Sequence, residues 1–247
     1  MAEYVQLRCL RDPELEIYQF YNVERAFPSH FHEGLLLGCL LRGHRVMLLQ
    51  DKEVIVSPGE VVYVPPRAPH GCRALGGEAV DWLSIQAQLP RMCMLPRQPL
   101  VITDADLARR MAMVVGESDG SLLLCGVIQL LKDVFDGKAI GNPSVVPCKQ
   151  TGAYVSEENA TTDIRPGEQM DRFRYLRWFR KTRGITPGRH GESVRVNRAK
   201  WLIKAGCSLV DAAADFCDQS HLNRVFKKQM GVTPGVWRAA YMGATLR

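Results

Sequence analysis

Eight cysteines are scattered through the 247 residues, yet no two of them form a Cys-x-x-Cys pair. That absence removes a disulfide framework and a zinc ribbon, and leaves reduced, mostly buried thiols as the expectation. The stretch MAEYVQLRCLRDPELEIYQF lacks the apolar run that a secretory leader needs. The longest apolar runs, near 34–41 and 122–131, are too short to cross a bilayer. No phosphate-cradling loop stands out, nor does a nucleophile with its base. The expectation is a cytoplasmic protein with no membrane partner, and not an enzyme.

Carboxylates are scarce in one region only. Residues 170–247 hold 16 Lys and Arg against 5 Asp and Glu, a net of +11. Residues 1–136 hold 13 against 17, a net of −4, and 137–169 hold 3 against 4, a net of −1. Charge divided in this way points to a nucleic-acid partner for the last third. A solvated basic surface would have the same composition, so the pattern of residues has to decide.

What is present falls into three parts. From about 20 to 88, short segments such as LLLGCLL, HRVMLLQ, EVIVS, EVVYVP and VDWLSIQ alternate with Gly, Pro, Asp and Ser. That spacing predicts an antiparallel barrel or sandwich. From 104 the period becomes helical: Thr103 or Asp104 can cap DLARRMAMVV. Leu122, Leu123, Val127, Leu130, Leu131 and Val134 then form a second apolar stripe. This helical pair is expected both to cover the barrel and to form a dimer interface. Residues 137–169 carry neither period and read as a linker or a degraded helix. The domains expected are thus 1–136, that linker, and a helical 170–247.

The helical part repeats itself. DRFRYLRWFRKTRGITPG (171–188) lies over DQSHLNRVFKKQMGVTPG (218–235), with eight of eighteen positions identical. Asp171 and Asp218 are N-caps, and Gly184 and Gly231 can end a helix in the left-handed conformation. Thr186 and Thr233 each cap a new helix beginning on a proline. Tyr175, Trp178 and Phe179 occupy the slots of Leu222, Val225 and Phe226, giving each copy one apolar face. Before the second copy, CSLVDAAAD offers a Ser-capped helix, so that helix, turn and basic helix follow one another. Between the copies, 187–205 is expected to be one helix with Val194, Arg198, Trp201, Leu202 and Ala205 along one side. About 18 residues at about 1.5 Å each give a rod of about 27 Å. With packing at its ends, that rod can hold two recognition helices roughly 34 Å apart, one turn of B-DNA.

RYLRWFRKTRGITP, RVNRAKWLIKAG and DQSHLNRVFKKQMGVTPGVWR together resemble the AraC/XylS family of bacterial transcription regulators over roughly 170–240. The resemblance implies two helix-turn-helix units, double-stranded promoter DNA as partner, and an N-terminal effector-binding barrel. RNA polymerase becomes a candidate further partner. The DNA face is expected on Arg172, Arg177 and Arg180 of the first unit. In the second it is expected on Gln219, Ser220, His221, Asn223, Arg224 and Lys227. The chain departs from the family pattern twice: the turn at Phe216-Cys217 is two residues short, and NATTDIRPGEQM supplies no apolar stripe for the helix before Asp171.

In the N-terminal part, SHFHE (His30, His32) and GEVVYVPPRAPHG (His70) look like the two cupin motifs. Leu36 stands at the position of the usual glutamate ligand, and Arg67 where cupins carry Gly. Three histidines could hold Zn, Fe or Mn, with Glu33 as the nearby carboxylate. The expectation is nevertheless an effector pocket without metal or other cofactor, made by His30, His32, Tyr63, Arg67 and His70. Trp82 is a further wall candidate that core packing explains equally well. A signal from such a pocket is expected to reach the DNA through 104–136 and the linker.

The fold class expected is α+β, a cupin-like antiparallel β-barrel with a helical pair followed by an all-α double helix-turn-helix domain. The function expected is sequence-specific transcription regulation by a homodimer responding to a small molecule. A metal-dependent cupin enzyme with a basic appendage, and a degenerate regulator with weak DNA binding, remain as alternatives.

Overall fold

The structure is a computed structural model describing residues 2–11, 14–49, 52–88, 96–135, 144–145 and 171–243. The linker expected over 137–169 falls almost entirely outside them. In chain order the strands are β1 (Tyr4–Arg11), β2 (Glu14–Val23), β3 (Phe27–His30), β4 (Leu35–Arg42), β5 (Arg45–Leu49) and β6 (Lys52–Val56). They continue with β7 (Glu60–Val64), β8 (His70–Ala74), β9 (Val80–Ala87), β10 (Leu100–Thr103) and the two-residue β11 (Ser144–Val145). The helices are α1 (Ala105–Gly116), α2 (Gly120–Phe135), α3 (Arg172–Arg183), α4 (Pro187–Lys204), α5 (Leu209–Ala212), α6 (Gln219–Met230) and α7 (Pro234–Tyr241). No helix among the described residues is long and apolar enough to cross a membrane.

All strand pairs are antiparallel, in one sheet of order β1-β2-β9-β4-β7-β10-β11 and a second of order β3-β8-β5-β6. Leu36, Leu40, Val62, Val64 and Trp82 of the first sheet meet Phe27, Met47, Leu49 and Val56 of the second in one core. The alternate residues Leu35, Leu37, Cys39, Val61 and Tyr63 face the other way. There they meet Leu107, Met111 and Val115 of α1, together with Leu123, Val127, Leu130 and Leu131 of α2. Covered on both faces, β4 has no need of alternation and reads LLLGCLL. Leu122 does not join its expected stripe; it is 61% exposed. β1 and β2 lie upstream of where the sequence pattern begins to look strand-like.

Local chemistry sets the helix ends. Asp104 accepts the N–H groups of Asp106 and Leu107, and Asp171 those of Phe173 and Arg174. Asp218 caps α6, and Thr186 and Thr233 cap α4 and α7, with prolines at their first positions. Gly184 and Gly231 end α3 and α6 with φ of 68° and 83°. Ser208 and Asp211 form a reciprocal capping box, but α5 lasts only four residues before the shortened turn at Phe216.

Two helix faces are settled by burial. α4 buries Ser193, Val196, Ala199, Lys200 and Ile203, whereas Val194 and Trp201 are 43% and 65% exposed. α4 packs against α5, α6 and α7 as well as β3, and with the barrel's Glu16 they select a face that carries a lysine. The two repeated helices also differ in depth. α6 buries Leu222, Val225 and Phe226, while α3 has no buried residue, so Tyr175, Trp178 and Phe179 are only half-covered. The expectation for the cysteines is corrected: among the described ones Cys39 alone is buried, and Cys125 and Cys217 are exposed.

The barrel core does not stop at the end of the barrel. Val196 and Ile203 of α4, Leu222 and Phe226 of α6 and Trp237 of α7 belong to the same apolar cluster as Tyr18, Phe20 and Phe27. The Gly231 carbonyl accepts from the Arg25 guanidinium at 2.8 Å. A Cβ on Gly231 would stand 2.5 Å from the Phe20 ring. The halves are therefore joined directly, and the expected route through 104–136 and the linker is not needed to connect them.

Candidate functional site

Three imidazoles meet where β3 leaves the small sheet. His30 ends β3 and pairs in register with His70 at the start of β8, while His32 follows two residues on. All three are buried, with ring centroids 4.6–5.0 Å apart. Burial, reinforced by neighbouring imidazoles, lowers His30 to about 3 and His32 well below its usual range. Burial also lowers His70 to about 4. The rings are therefore neutral at neutral pH.

Hydrogen bonds then fix the tautomers. His30 Nδ1 donates to the Pro28 carbonyl at 2.7 Å and His70 Nδ1 to the Ala68 carbonyl at 2.9 Å. That leaves the Nε2 lone pairs of both rings free to accept. His32 Nε2 lies 3.2 Å from His30 Nε2 and 3.4 Å from Gln86 Nε2, and His32 Nδ1 has no hydrogen-bond partner.

One potential ligand atom from each ring falls within 4.8 Å of the others. Carbonyls holding the far nitrogens are the usual outer support of metal-ligating histidines, so the three rings fit a divalent cation. The acidic fourth ligand is missing from the set. Leu36 points into the apolar core, and Glu33 turns to the Arg67 guanidinium at 3.3 Å and the Asn197 amide at 3.4 Å.

Beside His32 and Gln86 a pocket of about 240 Å³ opens between the barrel rim and α4. The barrel contributes Glu14 and Glu16; the helix contributes Asn197, Lys200, Trp201 and Lys204. Glu16 is the hub. Its carboxylate accepts from Lys200 Nζ at 2.7 Å, the Trp237 indole N–H at 3.0 Å and the Tyr18 hydroxyl at 2.7 Å. Both members of the Glu16–Lys200 pair are buried. Lys204 pairs with Glu14, and burial draws its ammonium down to about 8. A strand of the barrel thus holds α4 and α7 through one buried carboxylate.

The expected effector residues are only partly brought together. His30, His32 and His70 cluster, but only His32 reaches the pocket. Tyr63 lies on the opposite face of its sheet, against α1 and α2, and donates to the Pro96 carbonyl at 3.0 Å. Strand alternation from Val62 and Val64, which face inward, dictates that placement. Arg67 stands outside the pocket over the Phe31 ring at 5.5 Å, in a left-handed conformation (φ 60°) where a glycine would be unstrained. Trp82 is core. Glu16, Lys200, Lys204 and Trp237 escaped sequence reasoning. A lysine in helical register with Val196 and Ile203 was the visible signal.

On the helical side, Arg172, Arg177 and Arg180 of α3 and Gln219, Ser220, Arg224 and Lys227 of α6 are exposed. Asn223 is half-exposed. His221 is also half-exposed and is engaged within its own turn: Nδ1 accepts the Cys217 N–H at 3.4 Å, and the ring meets Phe216 edge-on.

A helix-turn-helix domain family matches residues 168–240, and a cupin domain family matches residues 18–86. The HTH-type transcriptional regulator YbfI of Bacillus subtilis (strain 168), itself uncharacterized, is 28% identical over 244 residues. The match covers 85% of this chain and 87% of that one. Among solved structures, an apo variant of ToxT from Vibrio cholerae superposes with a TM-score of 0.53 at 13% identity, covering 98% of both chains. Wild-type ToxT bound to an unsaturated fatty acid superposes with a TM-score of 0.51 at 13% identity, covering 99% of this chain and 98% of that one. At such identity the likeness shows a common fold.

Proposed function

We propose that this chain, a transcription regulator of the AraC/XylS type in its pairing of a cupin effector domain with a double helix-turn-helix domain, is switched by a small molecule held between the barrel and α4. The observation that carries this reading is the Glu16 hub, because any ligand beside it touches the helix that spaces α3 from α6. An anionic ligand suits the pocket: its acid group would compete with Glu14 and Glu16 for Lys204 and Lys200. The unsaturated fatty acid named for ToxT belongs to that chemical class. We read the barrel as a sensor rather than an enzyme, acting in the cytoplasm. The exposed Met113, Leu122 and Ile128 on α1 and α2 favour a homodimer.

The test begins with genomic fragments retained by the purified protein, which are sequenced to define an operator. Arg224→Ala is then expected to cost about 1–3 kcal/mol at that operator and to relax one base position. Equal loss on every sequence would make Arg224 a phosphate contact. Carboxylic acids added to the complex should change operator affinity by a coupling of about 1–3 kcal/mol. Absence of any enriched sequence would defeat the reading of the helices; enrichment with no acid response would defeat that of the pocket.

A second reading, a resident divalent cation, is favoured by the converging imidazoles. His30, His32 and His70 would hold it, and it would supply a Lewis-acid centre with open positions for a ligand atom. Metal content of the purified protein, compared with a His30→Ala, His70→Ala variant, decides this independently of DNA binding.

A further inference from the structure

The first repeated helix carries a large apolar side chain where its twin carries a small polar one. Phe173 is 73% exposed, the most exposed large hydrophobic residue of α3, and in the aligned repeat its slot is that of Ser220. Solvent exposure of a phenyl ring costs free energy that a protein ordinarily recovers by burial. Leu176, one turn on, is the one apolar side chain that α3 itself places beside it. Arg172, Arg174, Arg177 and Arg180 lie around it, and α3 contains no carboxylate.

The position is also held firmly. Asp171 accepts the Phe173 and Arg174 N–H groups at 2.8 and 2.9 Å, so the first turn does not fray and the direction of the Phe173 Cβ is set. The second unit shows which way this slot faces. There the buried side is Leu222, Val225 and Phe226, and Ser220 lies outside it, exposed. The matching side of α3 is Tyr175, Trp178 and Phe179, whose rings pack on one another. Phe173 is therefore on the outward face that the helix shares with Arg177.

We infer that Phe173 is a specificity-determining residue that reads the 5-methyl group of a thymine in the major groove. The inference rests on the DNA-binding reading of α3 given above. N-terminal residues of a recognition helix reach base edges, and thymine presents the apolar group there. Phosphates satisfy the flanking arginines, and the exposed side of the phenyl ring finds an apolar partner at that methyl. Ser220 offers a hydroxyl instead, so the two half-sites read by one chain differ at this position.

Uracil lacks only the methyl group, which makes the test direct. The full-length protein selects its preferred duplex from a random library, and each thymine of that duplex is then replaced by deoxyuridine in turn. One replacement, within the half-site whose readout Arg177→Ala also relaxes, should weaken wild-type binding roughly four-fold, the size of one buried methyl. Phe173→Ala should show the same loss on the thymine duplex and no further loss on the uracil one. Phe173→Leu, still apolar, should keep part of the discrimination.

Equal affinities of wild type and Phe173→Ala, or a variant still sensitive to every uracil replacement, would overturn the inference. So would a lowered melting temperature of Phe173→Ala with unchanged DNA affinity, which would place the ring against another part of this chain. Failure of the wild-type protein to select any sequence would instead remove the underlying reading of α3.

Discussion

Glu16 is among the most constrained side chains of the protein, because three donors from three elements converge on a buried carboxylate. Removing one member of a buried ion pair leaves the other charged and unpaired, at a cost of about 3–5 kcal/mol. Glu16→Ala is therefore expected to lower urea-unfolding stability by that amount. Glu16→Leu combined with Lys200→Met should recover part of it, since the orphaned ammonium is gone; a double variant no better than the single one would contradict this. The histidines set a second residue-scale expectation. An unfolded histidine takes up its proton near 6.5, whereas burial holds His30 down to about 3 and His70 to about 4. Between those values the unfolded chain binds protons that the folded chain refuses. Stability is therefore highest above pH 6.5 and falls as pH drops below it, by about 1.4 kcal/mol per unit for each histidine. Urea midpoints of metal-free protein measured from pH 7.5 to 5 should show that slope, and His30→Gln with His70→Gln should flatten it.

At the scale of elements, the helix ends and the apolar faces of α2 and α6 were legible in the sequence, and the face of α4 was not. Asp171, Thr186, Asp218 and Thr233 cap within three residues of themselves, so their sequence neighbours decide the outcome. The face of α4 is set by α5, α6, α7 and the barrel's Glu16, 184 positions away, and a stripe through Val194 and Trp201 could not register them. β2 (ELEIYQFYNV) was missed for a related reason: its polar Glu16 and Gln19 break the apolar run, and Glu16 is buried only because α4 and α7 bring donors to it. The cupin turns were legible, and so was the three-histidine cluster. The pocket was not, because it is made by two parts of the chain that meet only in the fold. The α1–α2 pair yields an expectation of its own. Leu122 is 61% and Met113 70% exposed on helices whose other side is fully packed. Leu122→Glu should shift sedimentation from dimer to monomer while changing stability by less than about 0.5 kcal/mol, as is usual for exposed sites. A wild-type protein that sediments as a monomer at micromolar concentration would refute the interface.

Across the whole molecule, one core spans the barrel and the second helix-turn-helix unit. Calorimetry should accordingly record those two parts melting in a single cooperative transition. A separate early transition belonging to 187–243 would contradict a common core. Among the described helices only α3 has no buried residue, which gives it the makings of a unit that opens by itself. The two repeated helices are thus anchored unequally, α6 to the barrel through Gly231 and Arg25, and α3 chiefly to α4.

The shared core also bears on how such a protein can be recombined. Regulators assembled from a sensor and a reader are natural material for shuffling, in which one reader is traded for another behind the same sensor. Here Tyr18, Phe20 and Glu16 would lose Phe226, Trp237 and Lys200 at the seam, so a transplanted reader must bring the matching surface with it. A chimera joined near residue 170 with an unrelated reader should be insoluble unless those contacts are rebuilt. At this seam the barrel and the helical half can change only together.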